Sequence, residues 1–404
     1  ALKKELSAFT TDLIKLMKIL ALGGSGGMGR YAVRSLIKHH AIKNIVVADL
    51  NESAASEFAS EFSDKVSGIG IDVTDKEALE REMQDMDVVI NTTGPFFKLA
   101  EPILKAAIST KTHYLDICDD WEPTEKMFGL NDEAIAAGVT VILGLGASPG
   151  ITNILGLVAM NELDSVIKVY TGWDMSSAQP AEESSQIGVN AAMIHGIEQI
   201  IGKVKVFSSG VYKMVRPLET VTVDYPQLGN YEANIFGHPE AISFPHHYPD
   251  IEESINLMHS NDASLISMLK FIRFLIEMKL LSKNMAARIL TWLEALQSPD
   301  SEKAGKEMLP SVYGYAEGIK DGKKMSAAVT FNTDADIDDL SMGEATAYPL
   351  ACGVKMILDG LITDAGVHAP ESGIIEPKHF FNYLSKEIND GVPIDLSITT
   401  KNIS

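Results

Sequence analysis

A glycine-rich turn constrains the fold of this chain more than any other sequence feature. The turn, Gly24-Ser25-Gly26-Gly27-Met28-Gly29, has the spacing G-x-G-x-x-G and follows the apolar run Ile19–Leu22. Helix-forming residues come next, and a second apolar run, Ile45–Ala48, ends at Asp49. This order of strand, turn, helix and strand is typical of a βαβ unit. We therefore predict that this part of the chain folds as a doubly wound parallel α/β sheet.

The turn has the residues that a dinucleotide site requires. Gly24 permits the tight turn, Gly26 lets the backbone approach a pyrophosphate, and Gly29 lets the helix pack close to the strand. The free N–H groups of the helix N-terminus favour phosphate. The other turn residues complete the predicted phosphate loop: Ser25, Gly27 and Met28. The alternative is a glycine-rich turn in an ordinary βαβ unit that binds nothing.

Asp49 bears on which dinucleotide binds. A carboxylate at the end of the second strand accepts hydrogen bonds from the adenosine ribose and repels a 2′-phosphate. The residues that follow, Leu50-Asn51-Glu52, include no arginine to bind such a phosphate. The sequence therefore predicts NAD as the cofactor, in preference to NADP.

More polar or glycine-containing segments follow the other predicted strands. Ligands of open parallel sheets bind beyond the carboxyl ends of the strands. We therefore predict that these residues complete the cofactor site: Asp72, Val73, Asn91, Thr92, Thr93, Gly94 and Pro95. Ordinary turn chemistry is the alternative, but a common position at one sheet edge favours a site.

The pattern of apolar runs divides the chain into three parts. Short apolar runs alternate with helical stretches over residues 17–150, which predicts a Rossmann-type dinucleotide-binding domain. Residues 151–340 combine alternating strands with long helical stretches, which predicts a mixed α/β substrate and dimerisation domain with a helical insert over 251–296. We expect residues 341–404 to form helices that pack back on the first domain.

Composition excludes several classes of partner. The formal net charge of −21 argues against nucleic acid and anionic membrane surfaces. No stretch is long and apolar enough to span a bilayer. Cys118 and Cys352 form neither a disulfide framework nor a metal-type spacing, which indicates a reducing, cytoplasmic location. We therefore expect a small-molecule substrate and no metal.

Several segments in order along the chain resemble one family. They are Asp87–Phe96, His113–Asp116, Gly144–Asn153, Met342–Pro349 and Gly366–Glu371, together with the glycine-rich turn. The chain resembles the saccharopine dehydrogenase-like oxidoreductases, which include saccharopine reductases, lysine 6-dehydrogenases and carboxynorspermidine dehydrogenases. The resemblance implies NAD(P)-dependent hydride transfer at a carbon–nitrogen bond of an amino acid or amine, through an imine. It also implies a Rossmann domain, a mixed substrate domain and a homodimer.

The resemblance leaves the substrate open. A saccharopine-type secondary amine is the first expectation, with lysine or carboxynorspermidine as alternatives. Many relatives have an aspartate immediately before the Pro149-Gly150 pair, where this chain has Ser148. That departure favours altered substrate or proton chemistry, and it also admits a second class of function, an NAD-binding regulator without turnover.

Three residues are candidates for proton transfer, which amine oxidation requires near the nicotinamide. Lys98 follows the Asn91–Pro95 loop, and a desolvated lysine is a base near neutral pH. Asp116 and His113 flank the end of a predicted strand, where Asp116 could receive the amine proton. The structural alternatives are a solvated lysine, a turn carboxylate and a packed histidine.

The predicted substrate contacts come from both domains. Arginine binds carboxylates as a fork, and one of His195 or His238 is expected to contact substrate. The candidate substrate-binding residues are Tyr114, Ser148, Asn153, Arg216 and His238. The histidines around His238 have no metal-ligand spacing, so a metal site is not expected.

Overall fold

The computed structural model describes residues 16–175, 191–260, 263–294, 309–332 and 340–403. Its strands are β1 (Met17–Leu22), β2 (Ile42–Asp49), β3 (Val66–Gly70), β4 (Val88–Asn91), β5 (His113–Asp116), β6 (Thr140–Ile142), β7 (Ser165–Asp174), β8 (Val204–Ser208), β9 (Val211–Val215), β10 (Thr220–Tyr225), β11 (Gly229–Ile235), β12 (Glu253–His259), β13 (Val312–Lys320), β14 (Lys323–Phe331), β15 (Gly366–His368) and β16 (Leu396–Asn402).

The helices of the described residues cover both domains and the tail. They are α1 (Gly29–Leu36), α2 (Glu52–Ala59), α3 (Lys76–Met83), α4 (Phe96–Thr110), α5 (Trp121–Phe128), α6 (Asn131–Ala137), α7 (Ile151–Asn161), α8 (Ala191–Gln199), α9 (Glu240–His247), α10 (Ala263–Glu277), α11 (Lys283–Glu294), α12 (Met342–Leu358) and α13 (Pro377–Ile388). None of these helices has both the length and the apolar character needed to cross a bilayer.

The first sheet is parallel and confirms the predicted Rossmann-type fold. Its strand order is β15-β6-β5-β4-β1-β2-β3, and every pairing in it is parallel. Strands covered by helices on both faces are continuously apolar, and Ile19–Leu22 are fully buried accordingly. The strand order reverses beside β1, so the crevice in which doubly wound sheets bind ligands lies at the Gly24–Gly29 turn.

The second sheet is mixed and also confirms the predicted class. Its main path is β10-β11-β12-β7-β13-β14-β16, with β8 pairing with β12 and β9. Strands β7 and β12 are parallel, and the other pairs are antiparallel. Helix α7 leaves the first sheet's Gly144–Gly150 loop and packs on this sheet so closely that a Cβ at Gly314 would lie 2.1 Å from the Gly156 nitrogen. The Gly144–Gly150 loop therefore lies where the two sheets join.

The helical insert predicted over 251–296 is wrong in its first part. Residues Glu253–His259 form β12, which lies between β7 and β11 in the second sheet. This strand is buried almost throughout, so it lacks the alternation of polar and apolar residues that would distinguish it from a helix. Helices α10 and α11 occupy the rest of the insert, and residues 295–296 lie outside the described range.

The tail serves both sheets rather than forming helices alone. Helix α12 packs against α1 of the first domain, and α13 packs against α12. However, β15 adds a strand to the first sheet and β16 pairs with β14 of the second. These strands are short or at a sheet edge, so their sequences carry little periodic signal.

Candidate active site

The glycine-rich turn has the backbone geometry of a phosphate cradle. A Cβ at Gly29 would lie 2.2 Å from the Gly23 carbonyl oxygen, so only glycine lets α1 start this close to β1. Gly26 and Gly27 are exposed, and nothing lies within 4 Å of a Cβ built at Gly27. The turn therefore offers open backbone at a helix N-terminus, which fits a dinucleotide pyrophosphate.

Asp49 lies beside this turn, as the sequence predicts. Its Oδ2 accepts a hydrogen bond of 2.7 Å from the Ser25 hydroxyl, and its Oδ1 accepts one of 3.3 Å from the Asn51 nitrogen. Arg30 also reaches the turn, because its Nη2 donates to the Ser25 carbonyl oxygen at 3.2 Å. Arg30 and Asp49 therefore both contact Ser25. Residues 50–52 give no sign of this arginine, because Arg30 lies at the start of α1, before β2.

The loop after β4 is anchored to the same turn. The Thr92 hydroxyl donates to the Leu22 carbonyl oxygen at 2.9 Å, and the Asn91 side chain accepts from the Thr93 nitrogen at 2.9 Å. Gly94 and Pro95 are exposed at the start of α4. These contacts place the loop at the carboxyl edge of the sheet, beside the cradle. We call the Gly24–Gly29 turn, Asp49 and this loop the cofactor edge.

Asp72 and Val73 follow β3, which β1 and β2 separate from β4 in the sheet. The Asp72 carboxylate accepts from the nitrogen and hydroxyl of Thr74, at 2.9 and 2.7 Å, and these bonds lower its pKa. Val73 is half-buried. Asp72 thus stabilises its own turn, and its predicted contact with the cofactor remains a prediction.

The structure corrects the predicted catalytic role of Asp116. Asp116 is fully buried and accepts hydrogen bonds from Gly144 N at 2.7 Å, Cys118 N at 3.1 Å and the Tyr114 hydroxyl at 2.9 Å. Burial raises its pKa to about 6 despite these bonds. Tyr114 is equally buried and accepts from Asn91 at 2.9 Å. Both side chains hold neighbouring loops together, so a substrate cannot reach either of them.

The other two catalytic candidates and Arg216 also have structural or surface positions. The His113 Nδ1 accepts from the Thr140 nitrogen at 3.0 Å, which ties β5 to β6. Lys98 is exposed, with its Nζ 5.6 Å from the centroid of the Phe97 ring. Arg216 is exposed and forms an ion pair with Glu277 of α10. Lys98 therefore has the exposed position of a solvated lysine.

Two acids missed in the sequence analysis meet a histidine of the second domain. The His195 Nε2 of α8 lies 3.3 Å from Asp119 Oδ1 and 3.5 Å from Asp120 Oδ1. Gln199, one turn further along α8, donates to Asp119 Oδ2 at 3.1 Å. We call Asp119, Asp120 and His195 the carboxylate cluster. Their side chains are 27, 15 and 22% exposed, so the cluster is sheltered but accessible.

Mutual interaction sets the charges of the carboxylate cluster. Burial alone would lower the pKa of His195, but its bond to Asp119 and the charges of both acids raise that pKa to about 9. Burial and the charge of Asp119 raise the pKa of Asp120 to about 6. Burial would raise the pKa of Asp119, but His195 keeps it below its usual value. At neutral pH the cluster thus carries one positive and two negative charges.

The carboxylate cluster lies next to the cofactor edge. Asp119 and Asp120 follow β5, the neighbour of β4, and the backbone N–H of Phe97 in the first turn of α4 opposes the rise in the pKa of Asp120. The same three residues could in geometry hold a metal ion, but His195 is held as an imidazolium that already balances one carboxylate. An ammonium group suits the remaining negative charge better.

Ser148 and His238, both predicted substrate contacts, belong to a second cluster. The Ser148 hydroxyl oxygen lies 3.1 Å from His238 Nδ1 and donates to Glu240 Oε1 at 2.7 Å. Thr152 donates to the same Glu240 oxygen at 2.9 Å, and the Asn256 amide donates to it at 3.0 Å. We call Ser148, Thr152, His238, Glu240 and Asn256 the polar cluster.

Asn153 is buried and does not open toward a substrate. Its Oδ1 accepts from the Gly150 nitrogen at 2.7 Å, and its amide donates to Glu371 Oε2 at 2.8 Å. Asn153 therefore fixes the start of α7 and joins it to the tail. Glu371 is fully buried, and burial raises its pKa to about 7.

Sequence signals for the missed residues existed but were weak alone. Asp119 and Asp120 stand three and four residues past Asp116, the last residue of β5, a strand-end position like those from which other site residues are predicted. Glu240 follows His238 in Gly-His-Pro-Glu, and Glu371 ends the last matching segment. None of these positions reveals which partner it meets.

Comparison with known proteins identifies the first domain. The family model described as saccharopine dehydrogenase NADP binding domain matches residues 19–142. This range covers strands β1–β6 and therefore the whole cofactor edge. A nicotinamide cofactor follows from this match together with the cradle.

Relatives extend the similarity beyond the first domain. Carboxynorspermidine synthase of Vibrio alginolyticus is 23% identical over 358 residues, 80% of this chain and 83% of that protein. The NADP-dependent, L-glutamate-forming saccharopine dehydrogenase of Saccharomyces cerevisiae is 30% identical over 146 residues, 36% of this chain and 31% of that protein.

A solved structure shares the whole fold. Apo saccharopine dehydrogenase (L-Glu forming) from Saccharomyces cerevisiae matches with a TM-score of 0.59 and 17% identity, covering 96% of this chain and all of that one. At this identity the match supports the two-domain architecture and does not transfer a substrate.

Proposed function

We propose that this chain, which belongs to the saccharopine dehydrogenase-like oxidoreductases, transfers hydride at the carbon–nitrogen bond of a secondary amine derived from an amino acid. The observation that carries the proposal is the carboxylate cluster beside the cofactor edge. An anionic, half-sheltered group at this position suits the ammonium of an amine substrate. Relatives named for saccharopine and carboxynorspermidine fit this substrate class, since both compounds are secondary amines.

The carboxylate cluster would bind and deprotonate the amine. Asp119, held ionised by His195, would pair with the substrate ammonium. Asp120 would accept the proton, because a base is most effective when its pKa lies near the working pH, and the pKa of Asp120 is about 6. We assign to Asp120 the proton acceptance that the sequence analysis gave to Asp116 and Lys98.

The cofactor edge would bind the dinucleotide through this chain's own groups. Gly26 and Gly27 would present backbone N–H groups to the pyrophosphate, and Asp49 would accept from the ribose hydroxyls. Nicotinamide supplies hydride transfer when bound. We propose NAD over NADP, because the Asp49 carboxylate would repel a 2′-phosphate, although Arg30 lies close enough to reduce that preference.

A substrate panel tests this proposal. Purified protein would be given saccharopine, carboxynorspermidine or lysine, each with NAD or NADP, while the absorbance of the reduced nicotinamide is followed. We expect turnover with one of the secondary amines and a higher kcat/KM with NAD. Turnover of lysine alone would instead support primary-amine oxidation, and no turnover with tight NAD binding would support the regulator.

We also propose that the protein is a cytoplasmic homodimer. Its two cysteines are free and buried, which suits a reducing compartment.

Phe271 and Phe274 are 59 and 52% exposed on α10, and Met278 and Leu280 after it are 58 and 71% exposed. An apolar surface of this kind suits a partner copy. Light scattering of the Phe274→Glu variant should then give a smaller mass than the wild type.

A further inference from the structure

The polar cluster contains a buried carboxylate with one unpartnered oxygen, a feature that packing alone does not require. Glu240 is 1% exposed, and its Oε1 accepts three hydrogen bonds, from Ser148, Thr152 and Asn256. Its Oε2 is buried, with no hydrogen-bond partner among the described residues. A buried carboxylate normally has partners for both oxygens. A carboxylate with one unpartnered oxygen is less stabilised in its ionised form than one bonded through both oxygens, so this group is easier to protonate.

One hydroxyl links this carboxyl group to an imidazole. The Ser148 oxygen lies 2.7 Å from Glu240 Oε1 and 3.1 Å from His238 Nδ1. The ring of His238 is 6% exposed and stacks on Trp173 with centroids 5.5 Å apart. Within the described part of the chain, no hydrogen-bond partner meets His238 Nε2, the nitrogen on the far side of the ring from Ser148.

Asn256 keeps this chain of groups in one arrangement. The Trp173 Nε1 donates to Asn256 Oδ1 at 3.2 Å, which fixes the amide with its nitrogen toward the cluster. The two hydrogens of that nitrogen are shared among three oxygen acceptors, those of Thr171 at 2.9 Å, Glu240 at 3.0 Å and Ser148 at 3.2 Å. Because Asn256 supplies only donors here, Ser148 has one remaining lone pair and one proton to share between Glu240 and His238.

We propose that Glu240, Ser148 and His238 form a proton relay, in which the charge of buried Glu240 decides which nitrogen of His238 bears the proton. When Glu240 is ionised, Ser148 donates to Glu240, His238 Nδ1–H donates to Ser148, and Nε2 is a bare acceptor. When Glu240 is protonated, its O–H donates to Ser148, Ser148 donates to Nδ1, and Nε2 bears the proton.

The relay balances one proton without charging the ring. A proton taken up at Nε2 is matched by Nδ1–H passing to Ser148 and the Ser148 proton passing to Glu240. The ring starts and ends neutral, only its tautomer changes, and no electrons are involved. Burial lowers the pKa of His238 to about 4, so the imidazolium does not compete at neutral pH. Burial raises the pKa of Glu240 to about 7, where it can exchange this proton.

The charges around the relay come from a few named groups. Glu371 acts on Glu240 and raises its pKa, while Ser148 and Thr152 lower it through their hydrogen bonds. Asp119 raises and His195 lowers the pKa of His238. Through these two residues the relay borders the carboxylate cluster. Its use in amine oxidation rests on the proposed function: His238 Nε2 would take a substrate proton other than the one that Asp120 accepts, and Glu240 would store it. The relay itself does not depend on the proposed function.

Nitrogen NMR of the intact protein tests the relay without substrate. The chain has ten histidines, so the His238→Gln variant identifies the His238 signals in protein labelled with ¹⁵N-histidine. We expect the wild type to change from the Nε2–H to the Nδ1–H tautomer as pH rises, with a midpoint near pH 7. In Glu240→Gln, the amide oxygen still accepts from Ser148 but cannot take a proton, so the Nδ1–H tautomer should persist throughout.

Ser148 variants decide the case if Glu240→Gln does not fold. Ser148→Ala removes the linking hydroxyl and should abolish the pH-dependent tautomer change, whereas Ser148→Thr keeps a hydroxyl and should restore it. A wild type whose His238 tautomer is constant with pH, or a change that persists in Ser148→Ala, would overturn the relay. Because no turnover is measured, these outcomes are distinguishable from a failed substrate panel, which would leave the relay intact and remove its proposed use.

Discussion

At the cofactor edge the binding groups come from short stretches of backbone, whereas in the polar cluster each group comes from a different element. The Gly24–Gly29 turn needs only glycine at set positions and a helix that starts there. Ser148 meets partners 90 and 92 residues away, on the loop before α9 and on α9 itself. The cofactor edge therefore tolerates little change in backbone, and the polar cluster tolerates little change in side-chain chemistry.

The two regions also treat buried acids differently. Asp116, beneath the cofactor edge, accepts three hydrogen bonds through both oxygens. Glu240 accepts three through one oxygen and leaves the other unpartnered. A carboxylate bonded through both oxygens is stabilised in its ionised form, whereas one with an unpartnered buried oxygen is more readily protonated.

The largest effect should follow loss of charge in the carboxylate cluster, which borders both regions. Asp119→Asn removes the charge that keeps His195 protonated and would bind the amine, so kcat/KM for the best panel substrate should fall about 10²–10⁴-fold. Steady-state kinetics measures this, with Asp132→Asn, an exposed acid on α6, as the control. An unchanged kcat/KM would remove Asp119 from the site.

A buried acid with a raised pKa should also appear in the pH dependence of stability. Burial raises the pKa of Glu371 to about 7, so its contribution is fully present below the unfolded value and is lost as pH rises through about 7. Glu371→Gln cannot titrate, so its free energy of unfolding should not show this fall with pH. Relative to the variant, the wild type should lose about 3 kcal/mol between about pH 4.5 and about pH 8. Chemical denaturation at several pH values measures this, and parallel curves would contradict it.

A smaller effect should follow overpacking at the cofactor edge. Gly29→Ala places a Cβ 2.2 Å from the Gly23 oxygen, whereas Gly196→Ala, on α8 of the second domain, meets nothing within 4 Å. Displacing α1 from the turn should make the free energy of NADH binding about 2 kcal/mol less favourable, which corresponds to about thirty-fold weaker binding. Fluorescence titration of NADH measures the affinity of both variants. Equal affinities would show that the turn is not held as tightly as the structure indicates.

The smallest effect concerns the choice between NAD and NADP. Asp49→Asn keeps the hydrogen bond from Ser25 but removes the charge that repels a 2′-phosphate. We expect the ratio of kcat/KM for NAD to that for NADP to fall about tenfold, since one charge interaction of about 1.4 kcal/mol gives that factor. Asp64→Asn, an exposed acid in the turn before β3, serves as the matched control. An unchanged ratio would show that the charge of Asp49 does not set the preference.

Much of the first domain could be predicted because its signals are local. The apolar runs Ile19–Leu22 and Ile45–Ala48 lie inside β1 and β2, and the glycine-rich turn ends where α1 begins. The second domain was harder, since β12 is buried almost throughout and has no alternation to distinguish it from a helix. The burial of Asp116 could not be predicted for a related reason. A carboxylate at the end of a strand has the same sequence pattern whether its side chain faces solvent or three buried donors.

The sequence by itself determined the cofactor edge, because a phosphate cradle depends on backbone conformation, and glycine spacing specifies backbone conformation locally. Only the tertiary structure decided which side chains meet. His195 reaches Asp119 from 76 residues away, and Asn153 reaches Glu371 from 218 away. Burial and charge at such meeting points set each pKa, and neither quantity exists until the two sheets have packed around the Gly144–Gly150 loop.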